Sequence, residues 1–167
     1  MRIELAPMVA AAVIGIGATL LMDAWNLMLR WLFGIRSLDY CMLGRWIRHM
    51  PTAFRHVNIA AAAKRPGECV AGWTAHYSIG VSLALAFVLF SSADWLKRPT
   101  LSSALLFGLA TLVFPLLVLQ PALGLGIASS KAANPLQARV KSFATHLVFG
   151  LGLYLCAAGL PLSSFLD

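Results

Sequence analysis

Four long apolar runs dominate the chain: 7–30, 72–92, 102–120 and 142–161. Each reaches the ~20 residues a helix needs to cross the hydrocarbon core, about twice the length of a barrel strand. In lipid every backbone N–H and C=O must find a partner within the protein, so four spanning α-helices are predicted. The first run exceeds the apolar core of a signal peptide, about 7–15 residues, and it carries Asp23 and Asn26, so it reads as a retained helix.

Polar residues interrupt these runs at matching depths. His76 and His146 lie about four residues into the second and fourth runs, roughly 6–8 Å from one boundary at 1.5 Å per residue. Asp23 lies about 10 Å from the point where the first run leaves near Arg30, and Gln120 closes the third. The faces agree as well. Gly15, Thr19, Asp23, Asn26 and Arg30 form one helical stripe; Gly72, His76, Gly80 and Ala84 a second; Ser142, His146, Gly150 and Tyr154 a third. Small residues let helices approach closely in lipid. The stripes are therefore expected inside the bundle, with Gly15, Thr19, Gly72, Gly80 and Gly150 as packing positions. Two segments echo each other: AHYSIGVSLAL (75–85) and THLVFGLGLYL (145–155) share the histidine, the glycine and two leucines. ATLLMD (18–23) and ATLVFP (110–115) share Ala-Thr-Leu. The pattern is that of a duplicated two-helix hairpin, though chance matches between Leu- and Gly-rich segments are common.

The connection 31–71 contains SLDYCMLGRWIRHMP. Leu43, Trp46, Ile47 and Met50 fall on one helical face and Arg45, Arg48 and His49 on the other. Ser37 can cap the start and Pro51 follows the end. An amphipathic helix over 38–50 is predicted, lying on the inner leaflet or on the end of the bundle. The later ALGLGIA is too short to span and reads as a re-entrant or surface piece.

Composition supports the membrane reading. Of 167 residues 60% are hydrophobic and only 11% charged, against about 25% charged in a soluble domain. The chain 1–167 reads as a single all-α membrane domain. The net charge of +7 does not point to nucleic acid, because its distribution is topological. Arg30, Arg36, Arg45, Arg48, Arg55, Lys64 and Arg65 follow the first run, and Lys131, Arg139 and Lys141 follow the third. Arg2, Lys97 and Arg98 fall on the other side. This bias places 31–71 and 122–141 in the cytoplasm, against anionic lipid, and both termini outside. The three cysteines have no CxxC spacing. Cys41 and Cys69 fall on the reducing side, so no structural disulfide is expected.

The candidate ligand-binding residues are Asp23, Asn26, His76, Gln120 and His146, expected to converge on one pocket near the cytoplasmic face. An ionisable residue at membrane depth is costly and marks a pathway, a relay or a paired network. Four classes of function remain open. A protonatable cluster suits a carrier or channel for a small solute, cation or proton, which with four helices needs a dimer or larger oligomer. Two histidines at one height on diagonal helices are placed like the axial ligands of haem b, with Gly72, Gly80 and Gly150 leaving room for the ring. His76, His146 and Asp23 could hold a divalent metal, with an open catalytic position. The fourth class is a structural or accessory subunit. No HExxH, GxSxG or phosphate loop occurs, so enzyme activity has no motif behind it.

The stretches GIGATLLMDAWNLMLRWLFGIRSLDY, GRWIRHM, FRH, GWTAHYSIG and THLVFGLGLYL resemble a bacterial integral-membrane family known as domain of unknown function 2938. The resemblance covers nearly the whole chain and implies a four-helix protein of the bacterial inner membrane. It carries no activity, substrate or cofactor. One departure is visible: the family often has proline after FGI, where this chain has Arg36.

Overall fold

The computed structural model describes residues 5–91 and 95–160 of the chain. Arg2, both termini and the expected ends of the second and fourth runs at 92 and 161 lie outside the described residues. The described residues are helical with no strand. In chain order they form α1 (Leu5–Phe33), α2 (Tyr40–His49), α3 (Glu68–Phe90), α4 (Leu101–Ala110), α5 (Gln120–Leu123) and α6 (Pro135–Gly159). A π-helical stretch, Phe114–Leu119, joins α4 to α5. Four helices are long and apolar enough to cross a membrane: Pro7–Phe33, Glu68–Phe90, Leu101–Leu123 and Pro135–Gly159. Their outward side chains are apolar and exposed, among them Leu20, Leu27, Ile79, Leu106, Leu117 and Leu155. This is an all-α membrane bundle.

The third span does not stop at Gln120 and Pro121 as its hydropathy suggests. Pro115 has no N–H to continue the α ladder, the helix widens, and the Gln120 N–H reaches back to the Pro115 carbonyl. The end comes at Gly124, whose φ of 93° is the left-handed conformation of a Schellman cap. The Leu125 N–H then returns to the Gln120 carbonyl at 2.9 Å. The ALGLGIA stretch folds as a surface turn, with a short 3₁₀ helix at Ile127–Ser129. At α6, Asn134 caps by accepting from the Gln137 N–H, and Pro135 takes the first turn. The helix therefore starts seven residues before the apolar run.

Helix α1 packs on both α3 and α6, and α4 packs on α6. Every seam is a close backbone approach. Gly15 sits against Gly80 and Val81, where an added Cβ would lie 2.7 Å from Val81 Cα. Gly108 faces Gly150, where the same atom would lie 2.8 Å from Gly150 Cα. Gly152 faces Ala18. Ile14, Ala18, Ala84, Ala104 and Leu153 fill the core between these seams. At the end away from α2, Phe87 stacks on Phe107 at 4.7 Å and meets Trp95 edge-on at 4.5 Å. The Trp95 indole donates to Ser103.

Helix α2 is capped by Asp39, not Ser37: the Asp39 carboxylate accepts from the Cys41 N–H at 2.8 Å. It packs on α3 through Gly44 and Gly72, which abut the Glu68 and Tyr40 carbonyls. Two expectations are corrected here. Arg45 does not face lipid phosphate; it is 7% exposed and its guanidinium grips Glu68 through two bonds of 2.9 and 2.7 Å. A buried guanidinium needs such a partner, and its remaining donors go to the Ala60 and Ala62 carbonyls. Cys41 and Cys69, 28 residues apart, are joined in a disulfide. Both lie in the first turns of helices that the glycine pair holds together, a proximity that sequence spacing does not reveal. Closing a loop of that length is worth about 3–4 kcal/mol in chain entropy.

Candidate functional site

The charged centre of the spans is Asp23. It lies on α1, two and one helical turns below Gly15 and Thr19 on the face that meets α3. Three side chains donate to its carboxylate: His76 Nε2 at 3.0 Å and the Tyr40 hydroxyl at 3.0 Å on one oxygen, the Tyr77 hydroxyl at 3.1 Å on the other. The imidazole of His76, 8% exposed, is held in place by Tyr40, which stacks on it at 4.0 Å with an interplanar angle of 22°. Trp73 closes the group edge-on to Tyr40 at 4.6 Å. With both Asp23 oxygens accepting from phenols, the arrangement that gives every group a partner puts the imidazole proton on Nε2. Burial first, and the neighbouring Asp23 carboxylate second, push the Tyr40 phenol above its ordinary range. Tyr40 is therefore a protonated donor at any physiological pH.

His146 does not join this group. Its Nδ1 lies 2.7 Å from the Thr111 hydroxyl, which donates to the Gly108 carbonyl at 2.6 Å. With the hydroxyl proton committed to Gly108, the Nδ1–H donates to Thr111 Oγ1. Asn26 accepts a long bond, 3.4 Å, from Thr145 on α6. The Gln120 amide reaches Ser142 at 3.4 Å, and its carbonyl oxygen is buried with no protein partner. The residues expected in one pocket are thus divided among four hydrogen-bonded groups. Asp23 and His76 meet at the α1–α3 seam, His146 belongs to the α4–α6 seam, and Asn26 and Gln120 bridge to α6 separately. Equal depth put them in one layer, but each stripe faces its own seam.

Among the described residues no three His, Cys, Asp or Glu side chains are grouped to hold a metal ion. The haem geometry fails on space as well: the glycines thought to make room, Gly80 and Gly150, abut Thr19 and the Ala104 carbonyl. Tyr40, Tyr77, Trp73 and Thr111 carry the two groups and were not singled out from sequence. Signals existed for two of them. Tyr77 adjoins His76, and Thr111 is the counterpart of Thr19 in the Ala-Thr-Leu echo.

A family model described as "Protein of unknown function (DUF2938)" matches residues 12–160. No curated protein and no solved structure matches the chain.

Proposed function

The chain belongs to the DUF2938 family, whose description names no activity, and from the polar group at the α1–α3 seam we propose that it binds or carries a proton, a cation or a small solute. Asp23 and His76 are its proton-binding pair. One observation carries this reading: a carboxylate and an imidazole 3.0 Å apart in helices long and apolar enough to span a membrane. Uncompensated, such groups are expensive at that depth and mark ion or proton paths. Imidazole is the side chain that ordinarily takes up and releases protons between about pH 5 and 8. Tyr40 and Tyr77 extend the hydrogen-bonded path, and Tyr40 leads it out of the spans to α2. The charge bias supports a bacterial inner-membrane location with 31–71 and 122–141 on the cytoplasmic side and lipid phosphate around the basic residues. Four helices enclose little space, so the glycine seams favour an assembly of two or more copies.

A second reading has its own observation. Both Asp23 oxygens are occupied by internal donors, which is what a structural lock between α1, α2 and α3 requires. Proteoliposomes with an internal pH dye separate the two. Under an imposed potential, wild-type protein is expected to pass protons, and Asp23→Asn is expected to lower the flux at least ~10-fold with the folded protein intact. Wild-type flux equal to empty vesicles overturns the proton path. Undiminished flux in a folded Asp23→Asn protein removes the pair from it.

A further inference from the structure

The disulfide between Cys41 and Cys69 stands at an open cleft. Cys69 is exposed and lies in a shallow, open surface cleft with Lys64, Arg65 and Gly67. The cleft's carboxylate is engaged elsewhere: Glu68 is held by the Arg45 guanidinium and by the Arg65 N–H at 3.0 Å. Lys64, together with Arg65, whose guanidinium also reaches His49 Nε2 at 3.4 Å, therefore sets the sign of charge that an approaching molecule meets. Cys41 is half-buried and adjoins Tyr40, the residue that donates to Asp23 and stacks on His76.

We propose that Cys41–Cys69 is an exchangeable disulfide, opened at Cys69 by an anionic low-molecular-weight thiol of the glutathione class, and that opening it releases the Tyr40 turn from the Asp23–His76 pair. The inference rests on the orientation given above, which puts this connection in a reducing compartment, where disulfides are transient and sensing. The thiolate of the small thiol attacks Cys69 Sγ. The Cys41–Cys69 bond breaks, a mixed disulfide forms at Cys69, and Cys41 leaves as a thiolate. A second small thiol attacks the mixed disulfide at its own kind of sulfur. Cys69 leaves as a thiolate at the start of α3, and each cysteine takes a proton. Two small thiols are oxidised to their disulfide, and the protein gains two electrons and two protons.

The consequence is local. The Arg45–Glu68 pair and the seat of Gly44 on Glu68 still hold the middle of α2 to α3, and the first turn keeps only the non-covalent packing of the Tyr40 carbonyl on Gly72. Only the first turn, with Tyr40, loses its covalent tie.

The test uses the full chain, oxidised, in detergent. Reduced glutathione, neutral β-mercaptoethanol and cationic cysteamine are compared at equal thiolate concentration, with maleimide-polymer gel shift as the readout. Glutathione is expected to react fastest, and Lys64→Glu with Arg65→Glu to slow it ~10-fold without slowing β-mercaptoethanol. Hydrogen exchange at Tyr40–Leu43 is expected to rise on reduction, with Leu153 in the bundle core unchanged. Equal rates for the three thiols, or unchanged exchange at Tyr40, overturn the proposal. Sidedness is read separately, by impermeant maleimide on reduced spheroplasts and inverted vesicles. Labelling of Cys69 from the inner face supports it, and labelling from the outer face overturns the orientation together with the switch.

Discussion

The α1–α3 and α4–α6 seams are built on the same plan and carry different chemistry. In each, a glycine of the later helix, Gly80 or Gly150, abuts the partner helix. In each, a threonine, Thr19 or Thr111, returns its hydroxyl to a glycine carbonyl one turn back, Gly15 at 2.7 Å or Gly108 at 2.6 Å. A histidine one turn before the second glycine occupies the same place in both. The seams part in what surrounds that histidine, since Tyr77 follows His76 where Leu147 follows His146. Where the first seam has Asp23, the echo aligns Pro115. His76 therefore faces a carboxylate and two phenols, while His146 has a hydroxyl and no charge to answer. A polar position common to two seams is a product of packing. The acid placed opposite one of them makes that seam electrostatically different.

The contrast can be broken most forcefully at the glycines. A Cβ at Gly150 meets backbone, the Ala104 carbonyl and Leu105 Cα, whereas at Gly80 the nearest atom is the Thr19 hydroxyl and the nearest backbone atom, the Gly15 carbonyl, is 3.4 Å away. Gly150→Ala is expected to cost about 3 kcal/mol and Gly80→Ala about 1–2, the range for overpacking, read from unfolding in mixed micelles. Equal costs would mean that the two seams yield alike. Next in size, Asp23→Ala strands three donors and should lose about 2–3 kcal/mol. Pro115→Ala, at the aligned position, strands no donor and should cost well under that.

Removing the histidines sharpens the comparison functionally. His76→Ala is expected to abolish proton flux in liposomes and His146→Ala to leave it near wild type; the reverse order would move the site to the other seam. The smallest effect concerns the threonines. Thr111→Val leaves His146 without its partner and should cost about 1 kcal/mol, and Thr19→Val, which loses only a bond within its own helix, about half of that. A Thr19→Val protein less stable than Thr111→Val would show that the Thr111–His146 bond adds nothing.

The four spans were legible because apolar length alone determines what can cross lipid. The depth of Asp23 and His76 was legible by counting residues. Which stripe faces which was not, because a helix face has several neighbours and hydropathy does not say which one it meets. Charge in the connecting segment misled in a different way. Arg45 read as a cation set against lipid, yet it pairs with Glu68, 23 residues away, and nothing local marks a pair formed by tertiary packing. The same holds for Cys41 and Cys69, brought together by the Gly44–Gly72 contact. The aromatic wall of Tyr40, Trp73 and Tyr77 was hidden because such residues are common near the ends of any membrane helix.

The π-helical turn at Phe114–Leu119 has a consequence for the length of the chain. A π-turn holds one residue more than the α-turn it replaces, an insertion absorbed as a local bulge. Deleting one residue there restores the α pitch and leaves both flanks in register, with Gly108 still on Gly150 and Gln120 still toward Ser142. The same deletion in α1 or α3 would turn everything after it by about 100° and carry Asp23 or His76 out of its seam. The third span is thus where this bundle can lose a residue without losing its alignment.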